Sequence, residues 1–140
     1  MSNDLMRFSV AMPEGLLMEF DELVARRGLA KNRSEVVRDL VRDALVEAAC
    51  ETPAAQVMGT LTIVFNHHAS DLQEKLDHIQ HEHFGQIVSS MHVHVDEHNC
   101  LEVIVLRGFV EDVRAISDLI LGTKGVKHGK LVLTTTEGHM

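Results

Sequence analysis

The sequence predicts an α+β chain built from two modules, the first a strand followed by two helices and the second a β-α-β-β-α-β domain. Three features point there. Hydrophobic periodicity changes from two to about 3.6 near Pro13. The composition breaks at CETPAAQ, residues 50–56. Beyond that break, four alternating segments are separated by two amphipathic stretches.

In the first module Phe8, Val10 and Met12 alternate with Arg7, Ser9 and Ala11, the pattern of a half-buried strand over Met6–Met12. After Pro13, Leu16, Leu17, Phe20, Leu23 and Val24 take helical spacing, and Gly28 is a fitting stop. Asn32 then stands three residues before Glu35, a capping-box-like start, with Ser34 as the other candidate cap. Val36, Val37, Leu40, Val41, Ala44, Leu45 and Ala48 line one face of the second helix. One strand and two helices in about fifty residues cannot satisfy a strand edge or bury both helical stripes. A dimer solves both problems: two strands pair as a ribbon and four helices share a core. This order resembles the ribbon-helix-helix DNA-binding superfamily, an intertwined dimer.

Pro53 disfavours helix at Thr52, so residues 51–56 are expected to link a domain of residues 1–50 to one of residues 57–140. In the second domain the expected strands are Val57–Phe65, Ser89–Val95, Cys100–Leu106 and Lys130–Thr135, and the helices Ser70–Phe84 and Val110–Leu121. A split βαββαβ order points to a ferredoxin-like sheet of the regulatory ACT type.

Composition narrows the function. No apolar run approaches the length of a membrane span, and the start of the chain lacks a signal-peptide pattern, so a soluble cytoplasmic protein is expected. Two cysteines are too few for a disulfide scaffold. The net charge of -8, with seven Lys/Arg against nine Asp/Glu in residues 1–50, rules out bulk attraction to polyanions. Any DNA contact must come from local placement of charge. A ribbon in the major groove would present Arg7, Ser9 and Ala11 to base edges, twice over in a dimer. Arg7 can donate two bonds to guanine, Ser9 can bond several bases, and Ala11 can touch a thymine methyl. The free amides around Arg33 and Ser34, at the start of the second helix, suit a phosphate.

The chain holds ten histidines, eight of them between His67 and His98. Within HVHVDEHNC, His92 and His94 are i and i+2 of one strand and face the same way. A turn centred on Glu97 would set Cys100 across from His94, so two imidazoles and a thiolate could meet at one point. A fourth donor is wanting, and His78, His81 and His83 on the preceding helix are candidates. Nitrogen and sulfur donors suit zinc, copper or nickel and not calcium or magnesium. The residues alone do not choose among these three. His98, His128 and His139 are read as solvated, and Cys50 as a thiol at a helix end.

RFSVAM, NRSEVVRDLVR, QHEHF, HVHVDEHNCLEVIVLRG and GVKHG together resemble the nickel-responsive regulator family, NikR, over essentially the whole chain. That resemblance implies a tetramer of two DNA-binding dimers around four regulatory domains. It implies Ni(II) in a square-planar site formed by His92, His94 and Cys100 of one subunit and His81 of a neighbour. It places operator contacts at Arg7 and Ser9; the third ribbon position is usually hydroxylated in the family and is Ala11 here. It assigns a potassium ion to Glu35 and Asp39, with carbonyls near Leu121, Thr123 and Val126. His67 and His83 match regions of accessory metal sites, and Gln80 and Glu102 are expected to orient the ligands.

The expectation is therefore a nickel-responsive repressor of a palindromic operator, controlling nickel uptake genes, and not an enzyme. Two other readings stand beside it. A metal storage protein would have no operator binding to lose on Arg7→Ala. An amino-acid sensor of the ACT type would respond to an amino acid and not to a metal.

Overall fold

A computed structural model describes residues 4–28, 31–69 and 71–136. The expected helix start at Ser70 and the solvated His139 lie outside the described residues. The elements run α1 (Glu14–Arg26), α2 (Arg33–Ala49), β1 (Gln56–Asn66), α3 (Leu72–Glu82), β2 (Ile87–His94), β3 (Asn99–Phe109), α4 (Val110–Leu121) and β4 (Val126–Thr134). They form two compact units, Met1–Val41 and Arg42–Met140.

In the first unit α1 follows Pro13, whose carbonyl accepts the Leu17 N–H at 3.0 Å. Proline suits this position because it has no N–H to leave unsatisfied. Gly28, at φ 122°, makes the left-handed exit after α1. The start of α2 is capped as the sequence suggests: Asn32 Oδ1 accepts the Glu35 N–H at 2.9 Å. Arg33 donates two bonds to the Asp21 carboxylate, 2.8 and 2.7 Å, tying the start of α2 to α1. These bonds, ahead of charge attraction, lower the Asp21 pKa and raise that of Arg33.

The expected strand Met6–Met12 carries no ladder in the single chain. The reason is physical: a ribbon strand has hydrogen-bond partners only in a second copy. The exposure agrees. Met6, Phe8 and Val10 are 87, 73 and 62% exposed, while Val36 alone of α2's apolar stripe in this unit is fully buried. Apolar surface of this extent marks an interface.

In the second unit the sheet is antiparallel with strand order β2-β3-β1-β4. Alternate residues of β1 (Leu61, Ile63, Phe65) and β3 (Cys100, Ile104, Leu106) enter the core, meeting Leu72, Leu76 and Ile79 of α3 and Val113, Ile116 and Ile120 of α4. The other face leaves Met58, Met91, Val93 and Val132 exposed.

Element α4 has the expected limits, whereas others differ at their ends. α3 begins only after Asp71, held at φ 57°, and ends at Glu82, where His83 leaves helical geometry. β4 starts at Val126 and not Lys130, because pairing with β1 continues to Phe65 through a bulge between Val64 and Phe65. Gly129 permits that extension. A Cβ there would stand 2.6 Å from the Thr62 carbonyl oxygen and 2.7 Å from Leu121 Cδ2. Backbone cannot yield as a side-chain tip can. Gly129→Ala is expected to cost about 2 kcal/mol, within the range for overpacked cores, and to lower the thermal midpoint by about 5–15 °C. Calorimetry of the full chain checks this, and an unchanged midpoint would contradict the packing described.

Candidate metal centre

The centre is set by the β2–β3 turn. Register pairs His92 with Glu102 and His94 with Cys100, so all four side chains project from the helix-bearing face. The turn is locked by Asp96. Its Oδ1 accepts the backbone N–H groups of His98 and Asn99 at 2.8 Å each, and both carboxylate oxygens accept the Asn99 side-chain amide at 3.1 and 3.0 Å. The Asn99 side chain, then the two backbone N–H groups, hold the Asp96 carboxyl down to about 2. Its pKa is depressed on folding, so its support is complete above the ordinary value of 3.8 and is lost as pH falls through about 2. Lys127 Nζ donates to Asn99 Oδ1, fixing the turn to the start of β4.

Cys100 is fully buried, and its Sγ lies 3.7 Å from His94 Nδ1 and 3.3 Å from His67 Nδ1. Among the described residues, His67, His94 and Cys100 form the group whose ligand atoms all lie within 4.8 Å of one another. His92 stands beside them, its ring centroid 5.0 Å from that of His94 and 5.6 Å from that of Phe65. One thiol and several imidazoles meet the donor chemistry of nickel, copper and zinc.

Joining the turn in this way, His67 takes a place that alternation along β2 could not foretell. The signal lies in β1. Phe65 pairs with Cys100 and Asn66 with Asn99, so His67, two residues beyond Phe65, falls on the cysteine's face. Its own N–H donates to the His98 carbonyl at 2.7 Å.

His81 sits exposed in the last turn of α3, outside this group. Next to it Gln80 donates to the buried Glu102 carboxylate at 3.3 Å, linking α3 to β3 and through the ladder to His92. Burial raises the Glu102 pKa, partly offset by the Gln80 hydrogen bond. His83 caps the end of α3, half-buried, and His78 Nε2 lies 3.1 Å from Glu82.

The remaining expected site residues lie in the first unit. Arg7, Ser9 and Ala11 are exposed on the extended segment before α1, and Ser34 is exposed in the first turn of α2. The Arg33 guanidinium is engaged by Asp21, so what the start of α2 can offer a phosphate is backbone amide more than this side chain. Glu35 and Asp39 are four residues apart on α2, and Asp39 pairs with Lys31 at 2.7 Å.

Comparison with known proteins adds identity to this geometry. Residues 58–134 match the family described as the NikR C-terminal nickel-binding domain, and residues 6–48 the ribbon-helix-helix proteins of the copG family. The chain is 53% identical over 133 residues to a protein of Geobacter sp. (strain M21), covering 95% of each. It is 52% identical over 136 residues to one of Solibacter usitatus (strain Ellin6076), covering 97% of each. With one of Caldanaerobacter subterraneus subsp. tengcongensis it shares 48% over 132 residues, 94% of this chain and 85% of that one. All three carry the name nickel-responsive regulator.

Asp96→Ala should leave the sheet folded and loosen the alignment of His94 with Cys100. A loss of about tenfold in metal affinity is expected, as for other groups that orient ligands. Competition against a chromogenic chelator measures it. Wild-type affinity would show that the turn does not set the centre.

Proposed function

The chain belongs to the nickel-responsive regulator family, and from that premise we propose that it is a transcriptional repressor whose grip on a palindromic operator depends on Ni(II). The observation that carries this is the buried Cys100 thiol beside imidazole nitrogens at 3.3 and 3.7 Å, in a chain whose residues 6–48 match a DNA-binding family.

The reading assigns His92, His94 and Cys100 of one subunit and His81 of a neighbour as ligands. Two features support it. His92, His94 and Cys100 share one face of the β2–β3 hairpin. His81 is exposed on α3, free of the intrasubunit group and able to meet another chain. When bound, the ion supplies a link between two subunits. The chain's residues do the rest: the Asp96 turn presents the thiol and imidazoles, and the Gln80–Glu102 hydrogen bond carries the position of the hairpin to the helix bearing His81. A thiol and imidazoles must lose protons to bind, so uptake weakens as pH falls.

Assembly as a homotetramer, a dimer of dimers, accords with two apolar surfaces that one chain leaves open. One is the segment with Phe8 and Val10; the other is the sheet face with Met58, Met91, Val93 and Val132. The division of labour is 1–50 for DNA, 51–56 as linker and 57–140 for metal and assembly, in line with the two matched regions. In a paired ribbon Arg7, Ser9 and Ala11 would face the bases, and the amides around Arg33 and Ser34 a phosphate. Glu35 and Asp39 would hold potassium, competing with Lys31 for Asp39. His83 is kept as a weaker metal donor. Among the described residues no helix is long and apolar enough to cross a membrane. A thiolate ligand survives in a reducing compartment, which favours the cytoplasm. Nickel uptake genes are the proposed targets.

To turn a mostly free repressor into a mostly bound one, metal must favour the binding arrangement by about 5 kcal/mol. By linkage, operator DNA tightens the metal equally. Titration of operator binding with nickel, zinc, copper and cobalt in parallel tests the proposal. Nickel should raise affinity most, Arg7→Ala should lose operator binding at every nickel level, and Cys100→Ala should lose the nickel response. Equal effects of all four ions, or none, would overturn it.

A further inference from the structure

We propose that Phe65 is a positioning residue for the metal centre: its buried ring, two strands away, holds the exposed His92 imidazole beside His94. The inference rests on the reading that His92 is a metal ligand, and says what keeps that ligand in place.

Ring geometry carries it. The Phe65 and His92 centroids are 5.6 Å apart with the rings inclined at 75°, an edge-to-face pair. β3 lies between β1 and β2, so the backbones of the two residues are separated by two strand spacings, about 10 Å. Register sets them off diagonally as well, since Phe65 pairs with Cys100 and His92 with Glu102. The two side chains therefore lean toward each other over β3, on the face that carries the thiol.

The partners differ in freedom. Phe65 is 2% exposed, is paired on both sides, with Cys100 and Val126, and belongs to the buried cluster of Leu72, Leu76 and Ile79. His92 is exposed. Left alone, an exposed imidazole would sample several rotamers, and fixing one on binding costs free energy. Contact with a ring that cannot move reduces that cost. Among the described residues, Phe65 and His94 are the rings that His92 meets. Ligand histidines are commonly aligned by a hydrogen bond from the second ring nitrogen. Phe65 has no polar side-chain atom, so it steadies the imidazole without claiming a nitrogen lone pair.

Held there, His92 stands at ligand distance from its neighbour. With metal–nitrogen bonds of about 2.0–2.1 Å, two imidazoles on one ion, at angles between a right angle and the tetrahedral angle, have centroids about 4.5–5.2 Å apart. The separation of His92 from His94 is 5.0 Å. The donors already within 4.8 Å of one another are His67, His94 and Cys100, so binding still requires the His92 ring to turn. It does not require that ring to travel.

A double-mutant cycle tests this in the full-length protein. Nickel affinity, by competition against a chromogenic chelator, is measured for wild type, Phe65→Leu, His92→Ala and the double variant. Metal-free thermal midpoints show whether each is folded, and Phe65→Met, which fills space with a flexible chain, is run beside Phe65→Leu. Loss of the ring should weaken nickel binding about threefold to tenfold, the worth of an edge-to-face pair. It should leave the affinity of His92→Ala unchanged. Equal losses in the two backgrounds would reveal a general packing effect and overturn the inference, as would no loss in either. Metal-free wild type supplies a check that needs no variant. Nuclear Overhauser cross-peaks between the ring protons of Phe65 and His92 are expected, and their absence would overturn the contact. Undiminished nickel affinity of His92→Ala would overturn the ligand reading, and this inference with it.

Discussion

The register of one hairpin governs this molecule's chemistry. His94 pairs with Cys100, and because paired residues of an antiparallel ladder share a face, the thiol and the imidazole point the same way. A slip of one residue would turn His92 and His94 to the opposite face and strand the sulfur in an apolar core. The Asp96 carboxylate guards against that slip by gathering the amides of His98 and Asn99 and the Asn99 side chain into a single tight turn. Cys100 itself is fully buried, with imidazole nitrogens of His67 and His94 3.3 and 3.7 Å from its sulfur.

Around that hairpin the fold leaves much apolar surface uncovered, and it does so in both units. The second unit packs α3 and α4 on one face of its sheet and exposes methionines and valines on the other. In the first unit the segment preceding α1 presents Leu5, Met6, Phe8 and Val10 to solvent. Exposure of this kind is costly in a monomer, and in the proposed assembly pairing between copies relieves it at both places. Oligomerisation then becomes more than stability, since the metal centre takes donors from two chains in the proposed assembly. There, the surface that hides apolar area would also bring a regulatory ion under shared ownership.

Local features were the most legible in the sequence. The turn at Val95–Asn99, the pairing of His94 with Cys100, the Asn32 cap and the whole of α4 follow from patterns spanning a dozen residues or fewer. What escaped depends on distant pairing. His67, which the family resemblance alone marks as an accessory metal position and no local pattern does, lies 33 residues from Cys100 and joins it only because β1 runs beside β3 as far as Asn66 and Asn99. β4 begins earlier than its apolar pattern suggests because Gly129 lets the strand close on β1 and Leu121. The segment Met6–Met12 has a sound strand alternation, yet the hydrogen-bond partners of such a ribbon belong to a second copy, so a single chain shows the pattern without the ladder. Arg33 illustrates the limit of reading charges singly, for its guanidinium is committed to Asp21 across two helices.

In the proposed function, sensing and DNA binding are joined by one coordination sphere. X-ray absorption at the nickel edge, recorded on the repressor while it is bound to its operator, addresses that link most directly. A sulfur scatterer alongside imidazole nitrogens is expected in the wild-type complex. A DNA-bound, nickel-loaded protein whose metal sees nitrogen and oxygen donors and no sulfur would contradict it.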